Sequence, residues 1–232
     1  MKFSKSRNVG VFGNNVRDTG IAPSVWRYYL LSNRPETADT EFSWREFITR
    51  NNSELLANLG NFVNRVVKFI NAKYHRILPD FDATDSGTFV TLKKDIDPLL
   101  QQFHAAMELA KIREGLRLVM AVSARGNLFL QDHRLDNKLF NKEPQQAANV
   151  LGAATNLIYL LAALAYPFMP STSASMNAQL NAPACRIPDS FECNLLPHHH
   201  IGKAAYLFSR IDESKEEYWR LQFAGGKGGK SI

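Results

Sequence analysis

Cysteine is nearly missing from this chain: Cys185 and Cys193 are the only two among 232 residues. Two thiols cannot build a disulfide framework, so a reducing compartment is expected. They are eight positions apart and lack a second close pair, which argues against a structural zinc site. Long apolar runs are also missing. The most apolar stretch, LIYLLAALAYPFMP, holds 14 residues, short of the ~20 that span a bilayer. Asn149, Thr155 and Asn156 lie just upstream and no basic flank anchors either end, so a buried central helix is expected and no membrane partner. The opening MKFSKSRNVG carries charge with no apolar core behind it, which excludes a secretory signal and is too short for a transit peptide. Its dense Lys/Ser run leads straight into Gly-rich turns, as if Met1 replaced an internal residue of a larger product. No internal repeat is present.

Nucleophile and metal constellations are equally scarce. His75, His104 and His133 are scattered, and the run His198 to His200 cannot easily turn three rings onto one ion from a loop. No catalytic base and no metal site are expected. The closing AGGKGGKSI imitates a phosphate-binding loop, but Ala224 stands where the first Gly belongs and no strand precedes it. Residues 224–232 therefore read as a flexible tail.

What is present is an ordinary globular composition. Apolar residues make up 45% and charged residues 22%, and a chain of this length buries roughly 70–75% of its unfolded surface. Twenty-eight Lys and Arg against 22 Asp and Glu leave a net charge of +6, which permits an anionic partner without requiring one.

Helical periods dominate. SVWRYYLL (24–31) reads as a short helix capped by Ser24, and 41–50 as another, with Phe42, Trp44, Phe47 and Ile48 inside. The clearest element is 53–77. At 100° per residue, Leu55, Leu59, Phe62, Val63, Val66, Phe69, Ile70, Tyr74 and Ile77 share one side. Asn58, Asn61, Asn64, Arg65, Lys68 and Arg76 share the other, and Pro79 marks the stop. Residues 80–95 read as a turn region. A second long helix is predicted from 98 to 125, with Leu99, Phe103, Met107, Ala110, Leu118 and Val122 inside and Gly126 as its stop. A third spans 145–166, 183–200 is loop, and a last amphipathic helix covers 212–223. The fold class expected is all-α, a helix bundle.

Chemistry enters at the N-terminus. Lys2 and Lys5 stand three apart with Ser4 and Ser6 between and beside them, a set suited to polyphosphate because an ammonium follows phosphate oxygens as charge develops. KFSKS resembles the KMSKS signature of class I aminoacyl-tRNA synthetases, with Phe3 in the Met place. The stretches DTGIAPSVWRYYLL and FSWREFITRNNSELLANLGNFVNR that follow are similar to the eukaryotic cytosolic methionyl-tRNA synthetase family, in particular its fungal form. The resemblance runs from Lys2 to about Trp219.

The resemblance implies several things. Residues 1–40 would hold the KMSKS loop and a stem-contact remnant, 41–185 an anticodon-binding helical bundle, and 186–223 a loop and helix packed on it. Lys5, supported by Lys2, Ser4 and Ser6, would lie against ATP phosphates. Asn61 and Arg65 would read anticodon bases. Their spacing of four puts them one turn apart on one side, a carboxamide beside a planar fork, as suits unpaired RNA loop bases. Lys68, Lys73 and Arg76 would continue that helix and hold backbone phosphates. The expected partners are methionine tRNA and an N-terminal catalytic half of the same enzyme. ATP with Mg serves the full enzyme, in the cytoplasm, with no cofactor expected to bind tightly to this chain alone, and neither DNA nor a membrane has a role. Two family features are missing. The Pro-Trp pair that follows Asn127 in the family, whose Trp stacks on an anticodon base, falls on Leu135 and Asp136, so either Phe140 or another aromatic substitutes or that base is read without stacking. No HIGH motif precedes KFSKS; His200 to Lys203 echo it but come after. A chain lacking that half is expected to bind tRNA without charging it. A helical protein–protein interaction module is the alternative.

Overall fold

The computed structural model describes residues 11, 13, 15–36, 39–82 and 87–223. Lys2, Ser4, Lys5 and Ser6, and the Gly-rich tail, lie outside them. The all-α expectation holds. Nine α-helices stand among the described residues: α1 (Pro23–Ser32), α2 (Trp44–Arg50), α3 (Asn61–Lys73), α4 (Gly87–Glu108), α5 (Ile112–Asp132), α6 (Asn137–Lys142), α7 (Pro144–Ala165), α8 (Pro170–Leu180) and α9 (Lys215–Gln222). Among these residues there is no strand, only an isolated antiparallel bridge between Ile77 and His200. One apolar cluster runs from Val25 on α1 to Phe223 after α9.

The central helix is α7. Ala147 through Ala165 are buried with few interruptions, because α3, α4, α5, α6 and α8 all pack against it. It is apolar all round because it is surrounded, the bland alternative to a membrane span. Its polar residue Asn156 is an anchor. The Asn156 carboxamide Oδ1 accepts from the backbone N–H groups of Asn194 and Leu195, both at 2.8 Å. Its Nδ2 donates to the carbonyls of Gly152 and Leu195. A loop with no ladder of its own is thereby satisfied in the core.

Several expected boundaries move. Pro23, not Ser24, opens α1, and its missing N–H costs nothing there; the Ser24 hydroxyl pairs with the Ser171 hydroxyl at 2.6 Å instead. The helices expected at 41–50 and 53–77 are one rod. Ser43 caps α2 by accepting from the Glu46 N–H, and a π-wound stretch, Asn51–Gly60, joins α2 to α3 without a break. Asn51 and Asn52 look like a turn but serve as brackets. Asn51 Nδ2 donates to Ser209 O, while Asn52 exchanges two bonds with the Ile211 backbone. The rod ends at Lys73, earlier than expected, because His75 and Arg76 adopt left-handed backbone (φ +51° and +67°).

The helix expected at 98–125 is two helices. α4 begins at Gly87 and carries Pro98 inside it. The chain then turns at Ala110 (φ +53°), which is exposed rather than buried. Gly126 does not stop a helix: it sits within α5, where an added Cβ would lie 2.6 Å from Phe62 Cζ. Its value is close approach, not conformational freedom. α8, unforeseen, follows the short turn after α7.

Asn156→Leu should destabilise the chain by about 2–4 kcal/mol, because a similar volume leaves two backbone donors and an acceptor buried without partners. Thr155→Val on the same helix removes only a bond to Leu151 O within that helix and should cost about 1 kcal/mol or less. Urea unfolding of the two variants provides the comparison.

Candidate nucleic-acid interface

Helix α3 has an apolar side and an open side. Phe62, Val63, Val66, Val67 and Ile70 are buried. Asn61, Arg65, Lys68 and Ala72 are exposed, and at 100° per residue they fall within about 60° of one another. Among the described residues neither Asn61 nor Arg65 engages its side chain in a hydrogen bond or ion pair. That contrasts with Arg50, Arg117 and Arg125, which are held by Glu46, Glu114 and Asp95. The Arg65 fork is therefore open to an external acceptor, and the Asn61 carboxamide to a donor–acceptor edge.

What aims this side outward is the seat of α3 on α5. The aromatic ring of Phe62 lies over Gly126. One turn before Asn61, a carboxamide clamp closes the joint. Asn127 Nδ2 donates to both Asn58 O and Asn58 Oδ1 at 3.0 Å, the Ser123 hydroxyl donates to Asn58 Oδ1, and Asn58 Nδ2 donates to Met120 O. Asn58 was expected on the polar face with Asn61; it points at α5. The cause is the winding. The Asn61 N–H reaches back to Leu56 O, five residues away, and a π turn takes more residues than the 3.6 of an α turn. Phase counted at 100° per residue is thus wrong before Asn61 and right after it. Asn127, expected just beyond the end of a helix, belongs to α5 and is spent on this clamp.

Two walls flank the open side. On one, residues 202–206 run beside α3. Asn71 Nδ2 donates to Gly202 O and Asn71 Oδ1 accepts from the Ala204 N–H. Lys68 Nζ donates to the Tyr206 hydroxyl at 3.0 Å and lies 4.6 Å from the ring centroid. On the other, Phe140 of α6 meets Phe69 and Tyr74 edge-on, and the Lys73 ammonium lies 5.4 Å from its ring centroid. Leu135 is buried and Asp136 caps α6 by accepting from the Leu139 N–H, so neither stands where a Trp would project. Arg76 is exposed but lies beyond the helix, in the left-handed turn, and so is off the α3 stripe. Among the described residues no carboxylate pairs with Arg65, Lys68, Lys73 or Arg76.

The thiols are not poised for chemistry. Burial pushes Cys193 up to about 11 and also raises Cys185. Burial holds His133 below the usual imidazole range, beside Phe129 and Gln146.

An open carboxamide and guanidinium on a rigid rod, walled by aromatics and cations, suit unpaired RNA bases. Comparison with known proteins bears directly on this. Residues 82–228 match the family model described as the anticodon binding domain of methionyl tRNA ligase, and residues 1–67 that of tRNA synthetases class I (M). This chain belongs to the methionyl-tRNA ligase family. It is 60% identical over 228 residues to a probable cytoplasmic methionine–tRNA ligase of Schizosaccharomyces pombe, covering 97% of this chain and 29% of that protein. To the cytoplasmic methionine–tRNA ligase of Saccharomyces cerevisiae it is 52% identical over 224 residues, covering 97% and 30%. The chain thus spans about three tenths of the length of these ligases. The methionyl-tRNA synthetase of Mycobacterium tuberculosis, in its apo form, superposes with a TM-score of 0.73 at 17% identity, over 85% of this chain and 40% of that one. The fold is that of a methionyl-tRNA ligase family member although few side chains are shared.

Sequence reasoning missed the inward turn of Asn58, the clamp role of Asn127, and Tyr206. No periodic signal could have found the first, because at 100° per residue Asn58 lies only about 60° from Asn61. Asn127→Ala should cost about 1 kcal/mol by removing its two donations to Asn58, whose Oδ1 keeps the bond from the Ser123 hydroxyl. Adding Asn58→Ala should cost much less than the sum of the single changes. Thermal unfolding of the double-mutant cycle reads this coupling.

Proposed function

We propose that this chain recognises the anticodon loop of methionine tRNA, as part of a methionine–tRNA ligase acting in the cytoplasm. The carrying observation is the unpaired, exposed Asn61 and Arg65, one turn apart on α3, in a family whose matching model is an anticodon-binding domain. Asn61 offers a donor and an acceptor to one base edge. Arg65 offers parallel N–H groups to a second edge, or its plane for stacking. Lys68 and Lys73, with Arg76 nearby, neutralise phosphates of the loop, so binding weakens as salt rises. The bundle within 41–185 carries this surface, and 186–223 braces it.

KFSKS at 2–6 is proposed as the phosphate loop, Lys5 with Lys2, Ser4 and Ser6 meeting the ATP phosphates. In the complete ligase, with ATP and Mg, the methionine carboxylate attacks the α-phosphate and pyrophosphate leaves. The aminoacyl group then passes to the tRNA 3′ end. The HIGH-containing half that completes that site is the intramolecular partner, and this chain by itself is expected to bind tRNA without charging it.

Binding of the 232-residue chain to an anticodon stem-loop RNA tests the reading. Asn61→Ala and Arg65→Ala should each weaken binding to the methionine anticodon by about 1–3 kcal/mol, and much less to a permuted anticodon. Equal weakening for both RNAs would reduce the stripe to charge alone.

A further inference from the structure

Tyr206 is 70% exposed. It is nevertheless not on a loose loop. Its segment is tied to α3 through both ends of the Asn71 carboxamide. It is tied to α8 by the Gly202 N–H donating to Gln179 O at 2.8 Å, and by the Ala205 N–H donating to Gln179 Oε1 at 3.0 Å. Gly202 is obligatory in this seat, since a Cβ there would come within 2.5 Å of Ala178 O. Buried Ile201 and Phe208 fasten the two flanks. An exposed ring on a backbone pinned from two helices is a pre-ordered surface, and ordering it on binding costs little.

The ring also stands at one place of interest. Lys68, one turn from Arg65 on the open side of α3, rests its ammonium on this ring and donates to its hydroxyl. That contact fixes a long cationic side chain beside the reading pair, where it has no carboxylate competitor among the described residues. The same ammonium draws the phenol below its usual range.

We propose that Tyr206 is a stacking platform for an unpaired nucleotide of the bound RNA loop, with Lys68 held by the ring to meet the adjoining phosphate. This rests on the anticodon-loop reading and adds to it a contact that does not read sequence. Every base has a π-face, so a stacked base contributes whatever its identity. The ring and ammonium together suit a single strand, because bases inside a duplex are already stacked on one another.

The test uses the 232-residue chain, the methionine anticodon stem-loop, a permuted-anticodon stem-loop and a fully paired duplex of equal length. Tyr206→Ala should weaken binding of both stem-loops alike, by about 5- to 100-fold, and leave the weak duplex binding unchanged. Tyr206→Phe should stay within about twofold of the parent, since the ring is kept. Lys68→Met should lower the dependence of log affinity on log salt by about 0.7, whereas Tyr206→Ala lowers affinity with a smaller change in slope. Circular dichroism melting should be the same for the parent and the Tyr206 variants, because the ring is exposed. Parent-like stem-loop affinity in Tyr206→Ala, or an equal loss for the duplex, overturns the platform. If that happens while Asn61→Ala and Arg65→Ala still lose anticodon discrimination, only the platform fails. If discrimination is also unaffected, the anticodon-loop reading itself fails.

Discussion

The contact on which this structure turns is the meeting of α3 with α5. A helix is a rod whose faces are interchangeable until something fixes its rotation, and here two short-range contacts do so. Phe62 occupies the space that the missing Cβ of Gly126 leaves open, and the Asn127 carboxamide locks onto both acceptors of Asn58. The first is apolar close packing, intolerant of a methyl group. The second satisfies buried polar groups that would otherwise be costly. Together they bury Phe62, Val63 and Val66 and leave Asn61 and Arg65 facing water. A change of phase by a single residue along this rod would bury the guanidinium and expose a valine.

The π-wound stretch is part of the same device. The long rod from Trp44 must present apolar side chains first to the aromatic cluster of α1 and α9, where Trp26, Trp44 and Trp219 pack with Phe47, and then to α5 and α7. A uniform α-helix keeps one phase along its length. Widening the winding between Asn51 and Gly60 adjusts that phase midway, and Asn61 is the residue at which α-winding resumes. Elsewhere carboxamides do what a sheet does in other folds. Asn51, Asn52, Asn71 and Asn156 bracket the irregular segment between 194 and 211, each pairing with backbone groups more than a hundred residues away in three of the four cases. The C-terminal segment is thus held against the bundle without strands.

Legibility followed locality. α7 and the second half of the long rod could be read because their apolar periods are regular and their environment is the core. The open side of α3, with Asn61, Arg65 and Lys68, was legible for the same reason, and the family resemblance singled out two of its members. The joint at Asn51 was misread because Asn-Asn ordinarily signals a turn, and its bonds to Ser209 and Ile211 are invisible from nearby sequence. Gly126 was misread as a stop because a glycine after an apolar period commonly is one; the close approach of Phe62 is a tertiary fact. Arg76 was placed on the helix because nothing in the sequence before Pro79 announces a left-handed turn at His75. Tyr206 carried no periodic signal at all, since its position is set by Asn71 and Gln179.

The outward presentation of one carboxamide and one guanidinium can be watched directly by nuclear magnetic resonance of the labelled chain. On adding the methionine anticodon stem-loop, the Asn61 side-chain amide and the Arg65 Nε–H should be among the most strongly shifted signals, with the Asn58 and Asn127 amides little changed. The permuted loop should move them far less. Strong shifts confined to α4 or α9, with the Asn61 and Arg65 signals unmoved, would contradict this account of the surface.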